Sequence, residues 1–183
     1  MKRENKIFLL KLARASISDY FDNIKTSAGK ITDNELSEKS GCFVTLEKDG
    51  DLRGCIGYIE GVEPIYSAVI RMAREAAFND PRFFPLSRED FDKIEIEISV
   101  LTPLVKVKSI EEINVPGDGL LIRSGYNSGL LLPQVAVDWG YDRKQFLAQT
   151  CLKAGLDRRC FLSADAKIYK FQAEIFSEKE FLN

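Results

Sequence analysis

Two apolar segments joined by a short turn sequence constrain the fold of this chain more than any other feature. Residues 43–46 and 52–57 have the composition of β-strands, and residues 48–51 between them read Lys-Asp-Gly-Asp. An Asp-Gly pair between two such segments is a strong signal for a β-hairpin with a tight turn. The sequence therefore predicts that residues 52–57 form the second strand of a hairpin.

The length of the turn decides which residues face each other across this hairpin. A two-residue turn at Asp49-Gly50 pairs Val44 with Cys55, whereas a three-residue turn pairs Thr45 with Cys55. A shift of one residue moves every side chain to the opposite face of the sheet. The sequence leaves both registers open, and with them the choice of the buried face.

The second strand reads Leu-Arg-Gly-Cys-Ile-Gly, which combines a thiol with a guanidinium. Arg53 and Cys55 are two residues apart, so on a regular strand they share a face and start roughly 7 Å apart. At an effective dielectric constant of about 20, the Arg53 charge favours the thiolate by roughly 2 kcal/mol, enough to bring a thiol pKa from about 8.5 to near 7. Burial of the thiol would act in the opposite direction. We predict Cys55 and Arg53 as the catalytic residues.

Both the cysteine and the glycines of this hexapeptide also have a structural interpretation. Free cysteine is among the most buried residue types, so Cys55 can equally be a small core residue. Glycine within a strand marks either a β-bulge or the close approach of a ligand or another backbone segment. On the second interpretation, Gly54 and Gly57 belong to the predicted ligand-binding site.

The chain contains no histidine among its 183 residues. This absence excludes Ser-His-Asp triads, Cys-His pairs and histidine-containing metal sites. Any general acid or base must be a carboxylate, a lysine, a tyrosine or a thiol, or a group that a partner supplies. The four cysteines, at positions 42, 55, 151 and 160, lack the spacing of Cys-x-x-Cys and zinc sites, so we predict no metal site and can name no cofactor.

Composition and charge restrict the location and the partners of the protein. Hydrophobic residues make up 45% of the chain and charged residues 30%, which is ordinary for a soluble globular protein. The net charge of −2 and the absence of a basic stripe argue against nucleic-acid binding. No early apolar segment is as long as a signal-peptide core of about 7 to 15 residues, and the cysteine pattern fits reduced thiols. We expect a cytoplasmic protein that binds neither nucleic acid nor membranes.

Hydrophobic periodicity predicts both helices and strands. The predicted helices cover about residues 3–21, 64–81, 109–112 and 142–155, and the predicted strands cover the hairpin and residues 94–101, 104–108, 119–123, 129–132 and 167–176. Strands linked mostly as hairpins indicate an α+β fold with a largely antiparallel sheet and flanking helices. We expect residues 1–183 to form one domain, or one domain with a smaller lobe that includes part of residues 25–60 or 80–130.

The hexapeptide at residues 52–57 resembles the signature of the AMMECR domain family. Further segments resemble that family in the same order along nearly the whole chain, namely residues 12–14, 76–83, 97–101, 129–136 and 151–156. The resemblance implies a two-lobed α+β domain with a cleft near the hexapeptide, and it supports Arg53 and Cys55 as site residues. It implies no particular reaction.

The resemblance also implies partners. Bacterial members of the family are called AmmeMemoRadiSam system protein A, which implies an association with a Memo-like protein and a radical-SAM protein.

Five further residues are weaker candidates for ligand binding. Asn79, Asp80 and Arg82 lie at the end of the helix that Pro81 should stop, where a turn held by local hydrogen bonds is the favoured explanation. Gln134 follows a predicted strand, where its amide can bind a ligand or satisfy backbone groups. Asp138 departs from the family, which more often has a glutamate there.

Two hypotheses for function follow from these residues. In the first, the protein is an enzyme or an enzyme component in which Cys55 is a nucleophile or thiol ligand, and Arg53 lowers its pKa or holds an anionic substrate. In the second, the protein is a binding or adaptor module in which Arg53 holds a carboxylate or phosphate and Cys55 fills space. Thiol reactivity separates the two hypotheses.

Overall fold

The structure is a computed structural model, and residues 1–182 are described. The α-helices are α1 (Arg3–Phe21), α2 (Asn34–Ser37), α3 (Ile65–Arg74), α4 (Arg88–Phe91), α5 (Pro133–Trp139), α6 (Arg143–Lys153) and α7 (Glu178–Phe181). The strands are β1 (Gly41–Lys48), β2 (Asp51–Tyr58), β3 (Ile94–Leu101), β4 (Val105–Lys106), β5 (Gly119–Ser124), β6 (Asn127–Leu131), β7 (Lys167–Phe171) and β8 (Ala173–Ser177). A π-helix covers Glu75–Asn79, and 3-10 helices cover Ile110–Glu112 and Cys160–Leu162.

The chain divides into two compact units, each with its own sheet. The first unit contains Met1–Leu101 and the residues from Glu174 onwards, and the second contains Thr102–Ala173. One sheet has the strand order β2-β1-β3-β8 and the other the order β4-β7-β5-β6. The pairs β1–β2, β1–β3, β4–β7, β5–β6 and β5–β7 are antiparallel, so the predicted α+β class with a mostly antiparallel arrangement is confirmed. No helix within residues 1–182 is long and apolar enough to span a membrane.

The core of the first unit lies between one face of its sheet and helices α1 and α3. Alternate residues of β1 and β3 point into this core, as the strict alternation in residues 94–98 predicts. The predicted apolar face of α1 is buried through Ile17, but Tyr20, which the same periodicity assigns to the core, is 47% exposed. Its ring instead stacks on Phe78 at a centroid distance of 4.2 Å.

The hairpin has a two-residue turn and yet the register predicted for a three-residue turn. Asp49 and Gly50 form the turn, both with positive φ, at 55° and 86°. A two-residue turn was expected to pair Val44 with Cys55, but Thr45 lies opposite Cys55.

A β-bulge explains this combination. Glu47 pairs with Leu52, but the next pair joins Leu46 to Gly54, which leaves Arg53 as the extra residue on β2. The bulge shifts the register by one residue between the turn and Cys55. Consequently Arg53 lies at an irregularity of the strand, and the regular alternation assumed for Arg53 and Cys55 does not apply.

Two predicted elements differ from the structure. The segment predicted as a single strand over residues 167–176 is two strands, β7 and β8, which belong to different sheets. Between them, Gln172 exchanges backbone and side-chain hydrogen bonds with Thr102. Because apolar and polar residues keep alternating across this break, the periodicity carried no sign of it.

The second difference concerns the four cysteines, which were expected to be reduced. Cys151 and Cys160 form a disulfide, with a Cα–Cα distance of 5.8 Å. Cys151 is fully buried on α6, as its position on the apolar face predicts. The chain then turns at Gly155, where φ is 71°, and brings Cys160 back to it. Sequence spacing could not reveal this pair because it depends on the path of the turn.

An ion pair joins α1 to the last helix of the first unit. The Arg14 guanidinium donates to both carboxylate oxygens of Glu178 and to the carbonyl oxygens of Phe91 and Ile94. The Glu178 side chain is 9% exposed and also accepts the backbone N–H of Ile96. A buried carboxylate without its partner is costly, so this pair fixes α7 beside β3.

We expect Arg14→Met to lower the free energy of unfolding by about 3 to 5 kcal/mol, because it leaves the Glu178 carboxylate buried without its cation. Urea denaturation at pH 7 measures the change. Lys11→Met is the matched control, since Lys11 is exposed on the same helix and should change stability by less than about 0.5 kcal/mol. Equal effects of the two substitutions would show that the pair does not stabilise the fold.

Candidate functional site

Cys55 lies on β2, the edge strand of the first sheet, and both of its backbone polar groups are bonded to one turn. Its N–H donates to Oδ2 of Asp80 at 2.9 Å, and its carbonyl oxygen accepts from Nη2 of Arg82 at 3.1 Å. These groups therefore point away from β1. Cys55 and Thr45 on β1 thus form a pair without mutual backbone hydrogen bonds, in which facing side chains are close. Thr45 Oγ1 donates to Cys55 Sγ at 3.3 Å.

Asp80 and Arg82 form a bidentate ion pair at the end of the π-helix. Nε and Nη2 of Arg82 donate to the two carboxylate oxygens at 2.9 and 2.7 Å, and the Arg82 backbone N–H adds a bond of 3.1 Å. The Asp80 side chain is 1% exposed, and hydrogen bonds, first of all from Arg82, hold its pKa well below the usual range. The predicted local hydrogen bonds of this turn are present, and the same two residues also bind β2. Asn79 is exposed at the end of the π-helix.

The two glycines of the hexapeptide allow the backbone to pack closely. A Cβ atom on Gly54 would lie 2.2 Å from the carbonyl oxygen of Ala76 in the π-helix. A Cβ atom on Gly57 would lie 2.2 Å from the carbonyl oxygen of Cys42. Both positions therefore require glycine because the chain itself occupies the space. Of the interpretations left open by the sequence, the close approach of backbone accounts for both residues.

Cys55 is the accessible free thiol within the described part of the chain. Its side chain is partly exposed, whereas Cys42 is fully buried. Burial, with a smaller contribution from the negative charge of Glu63, raises the pKa of the Cys42 thiol to about 12. Cys151 and Cys160 are joined in the disulfide. Cys55 therefore differs from Cys42 in exposure and from Cys151 and Cys160 in bonding state.

Arg53 and Arg82 contact the same aromatic ring. Their guanidinium carbons lie 5.8 and 5.5 Å from the centroid of Phe83. Arg53 also donates from Nη2 to the carbonyl oxygen of Phe84 at 2.7 Å, while its Nη1 is buried and has no hydrogen-bond partner within residues 1–182. Phe84 itself is 91% exposed.

The cation that contacts the Cys55 residue directly is Arg82. Arg82 bonds the Cys55 carbonyl oxygen, and the Cys55 charge is one of the causes that raise the pKa of Arg82, after the hydrogen bond and the charge of Asp80. The pKa of Asp90 is lowered, first of all by a hydrogen bond from Lys48. The positive charges of Lys48, Lys93 and Arg53 lower it further, in that order. The hexapeptide by itself predicts this role at the thiol for Arg53, and Arg82 is only one of the weaker candidates from the sequence.

A row of three polar side chains crosses the outer face of the first sheet. Cys55 faces Thr45 on β1, and Thr45 faces Glu97 on β3. Thr45 and Glu97 were not among the predicted site residues, because their position beside Cys55 depends on the bulge. One indication of Glu97 was present in the sequence: the alternation in residues 94–101 places it on the polar face of β3.

Gln134 and Asp138 belong to the second unit. Both lie on α5, which begins directly after the end of β6, so Gln134 follows a strand as predicted. Their spacing of four residues puts the two side chains on one side of the helix. Gln134 lies in the first turn, and its Oε1 is buried without a hydrogen-bond partner among residues 1–182. Asp138 is exposed. Within the same described range, no group of three or more His, Cys, Asp or Glu side chains could hold a metal ion.

Comparison with known proteins gives matches along most of the chain. A sequence profile of the AMMECR1 family matches residues 10–176. A protein of Methanothermobacter thermautotrophicus is 43% identical over 97% of this chain and 96% of its own length. A protein of Thermococcus onnurineus is 46% identical over 94% of this chain and 89% of its own length. The crystal structure of the uncharacterized protein PH0010 from Pyrococcus horikoshii is similar with a TM-score of 0.92 and 43% identity, and covers 100% of this chain and 96% of that one.

We expect Asp80→Asn to lower the free energy of unfolding by about 1 to 3 kcal/mol at pH 7, since it removes a buried acceptor from Cys55 and Arg82. The cost stays moderate because the Arg82 side chain is 53% exposed and remains hydrated. Because the folded-state pKa of Asp80 is lowered, its contribution is complete above the unfolded pKa of about 4 and is lost as the pH falls towards the folded value.

Urea denaturation between pH 7 and pH 2 tests this pH dependence. The difference between the wild type and Asp80→Asn should shrink as the pH falls below about 4. Asp51→Asn, at an exposed position of the same strand β2, should show no such convergence. A constant difference at all pH values would exclude the Asp80 carboxylate as its source.

Proposed function

The chain belongs to the AMMECR1 family, and we propose that it binds an anionic ligand beside Cys55 and acts on that ligand through the Cys55 thiol. The observation that carries the proposal is the bonding of Cys55. Its N–H and carbonyl group are both held by Asp80 and Arg82, while its side chain stays partly exposed. A reactive group fixed through its backbone has a defined position relative to a bound ligand, as catalysis requires.

The anionic character of the ligand follows from the two guanidinium groups. Arg53 and Arg82 lie at the ring of Phe83, and the hydrogen bonds made by their Nη2 atoms are at the protein surface. Guanidinium groups bind carboxylates and phosphates through paired hydrogen bonds. Arg53 in addition has the Nη1 donor without a partner in the described chain, which a ligand oxygen would satisfy after a local rearrangement.

In the proposed chemistry, Cys55 attacks an electrophilic carbon of the bound ligand. For this step the Thr45 hydroxyl, which donates to Cys55 Sγ in the resting structure, rotates to accept the thiol proton and passes its own proton to the Glu97 carboxylate, which lies opposite Thr45 on β3. The sulfur atom then forms a bond to carbon, and the leaving group departs with the electrons of the broken bond. Glu97 would thus supply the base that a chain without histidine needs.

A second candidate function is a binding module without covalent chemistry. The exposed ring of Phe84 favours a binding module. Phe84 is 91% exposed, its carbonyl oxygen accepts from Arg53, and its ring could contact a partner. In that case Arg53 and Arg82 hold a carboxylate or phosphate group, and the Cys55 thiol only fills the space next to Thr45. The two functions differ in whether the folded protein has a reactive thiol.

We expect iodoacetate, an anionic reagent, to alkylate Cys55 faster relative to neutral iodoacetamide than it alkylates a free cysteine. In this reaction the thiolate forms a bond to carbon and iodide leaves. A unit charge at about 7 Å attracts the anion by up to roughly 2 kcal/mol, so the ratio of the two rates should be raised by up to about thirtyfold at low salt and by less at physiological salt. Arg53→Gln and Arg82→Gln should each lower the ratio, as mass spectrometry of the labelled peptides would show.

Arg88→Gln is the matched control for this experiment, because Arg88 is a largely exposed arginine that pairs with Asp22 away from Cys55. It should leave the ratio unchanged. Cys42 should remain unlabelled in the folded protein, since it is fully buried. Labelling of Cys55 only after unfolding would reject the thiol chemistry and favour the binding module. A ratio that neither arginine affects would reject the anion site.

Partners are a separate part of the proposal. The family resemblance supports an association with a Memo-like protein and a radical-SAM protein, and the net charge of −2 makes nucleic acid a poor alternative. We expect affinity purification of the tagged protein from its native cells at physiological salt to recover at least one of the two. Recovery of nucleic acid that salt removes steeply, with neither protein present, would contradict this expectation.

A further inference from the structure

The edge strand β6 of the second sheet has backbone groups that point outward and are unbonded. β6 is the last strand in the order β4-β7-β5-β6. Ser124 and Asn127 flank a two-residue turn, and the residues of such a pair bond each other through their backbones. Because bonded and non-bonded pairs alternate along a hairpin, the N–H and carbonyl groups of Ser128 and Leu130 point away from β5. These four groups have no hydrogen-bond partner within residues 1–182.

The other edge strands are protected in ways that β6 is not. On β2, Asp80 and Arg82 bond the outward groups of Cys55, and β4 has only two residues. β8 carries Glu174, whose carboxylate pairs with Lys6. β6 has five residues, none of them charged or proline, and its register with β5 contains no bulge. An edge without such protection is a template for pairing with another strand.

The charge pattern around β6 favours a second copy of this chain as the pairing strand. Residues 124–137 contain no charged side chain, although 30% of the chain is charged. In a two-fold symmetric contact, a surface near the axis meets the same surface of the other copy. A charge on this segment would therefore face a like charge, and the segment has none.

The outward groups of β6 are also self-complementary about Gly129. When two β6 strands lie antiparallel with Gly129 facing Gly129 of the second copy, Ser128 lies opposite Leu130 of that copy. By symmetry, Leu130 then lies opposite its Ser128. Each of these two pairs exchanges two backbone hydrogen bonds, so all four outward groups of each strand are bonded. Two sheets of four strands thereby become one sheet of eight.

The same register adds apolar contacts at both ends of the paired strands. Tyr126, in the turn before β6, is fully exposed. The register places it opposite Leu132 of the second copy, a residue that is only partly buried in the single chain. Aromatic rings contribute large contact areas at interfaces. Symmetry repeats this contact, so one lies on each side of the hydrogen-bonded pairs.

We propose that two copies of this chain pair through the edge of β6 and form a symmetric dimer. The two-fold axis passes through the pair of Gly129 residues, perpendicular to the sheet. Gly129 lies against Ala154, just after α6, so α6 is on the same face of the joined sheet in both copies. The proposal does not depend on the function proposed for Cys55, because β6 belongs to the second unit and Cys55 to the first.

Sedimentation velocity of the full chain tests the proposal. At about 0.1 mM, the main species should have twice the mass of the single chain. Ser128→Lys combined with Leu130→Lys should raise the dissociation constant by about tenfold or more, because the register sets like charges opposite each other. Ser128→Lys combined with Leu130→Glu is the matched control. It sets opposite charges against each other in both pairs and should keep the dimer.

Hydrogen exchange followed by NMR gives a second measurement on the unmodified chain, which decides the matter even if both double variants fail to fold. The amide hydrogens of Ser128 and Leu130 should exchange slowly at about 0.1 mM and faster on dilution, since only the dimer bonds them. The amide of Gly129, which pairs with Ile122 inside the hairpin, is the control and should stay protected on dilution.

Three results would overturn the proposal. The first is a monomer at about 0.1 mM, and the second is rapid exchange of Ser128 and Leu130 at that concentration. The third is equal dissociation of the two folded double variants, since the β6 register predicts opposite effects for them.

Discussion

The candidate site depends on one buried carboxylate that bonds an edge strand. β2 has a hydrogen-bonding neighbour on one side only, and at Cys55 its outward N–H and carbonyl group are satisfied by Asp80 and Arg82. Arg82 in turn keeps the Asp80 carboxylate charged although it is buried. The pair therefore satisfies the backbone hydrogen-bonding groups of the edge strand at Cys55. Through these bonds it also fixes the position of the Cys55 thiol.

A bulge and a π-helix bring the rest of the site to this point. The bulge makes Arg53 an extra residue on β2, and its guanidinium contacts Phe83 and the carbonyl oxygen of Phe84. Across the strand, Gly54 lets β2 approach the π-helix that leads directly into Asp80. Both irregularities occur at the candidate site, as is common for bulges and π-helices at functional sites.

In a chain without histidine, any acid–base chemistry would have to come from other groups, and the outer face of the first sheet carries a hydroxyl group and a carboxylate. Cys55 lies next to the hydroxyl group of Thr45, and Thr45 lies opposite the carboxylate of Glu97 on β3. Arg82 provides positive charge next to the same cysteine. This set of groups is what the proposed function uses, and each of them is held by a strand or by the turn that bonds the strand.

The sequence by itself determined the fold class, the family, the hairpin and the site candidates around residues 53–57 and 79–82, because periodicity and turn residues are local properties. Only the tertiary structure decided the register of the hairpin, since the bulge at Arg53 changes which residue faces Cys55 without altering any sequence pattern. It also decided that Arg82 rather than Arg53 bonds the Cys55 residue, and that Cys151 joins Cys160. These contacts depend on how separate segments meet in space, and neither spacing nor hydrophobic periodicity contains that information.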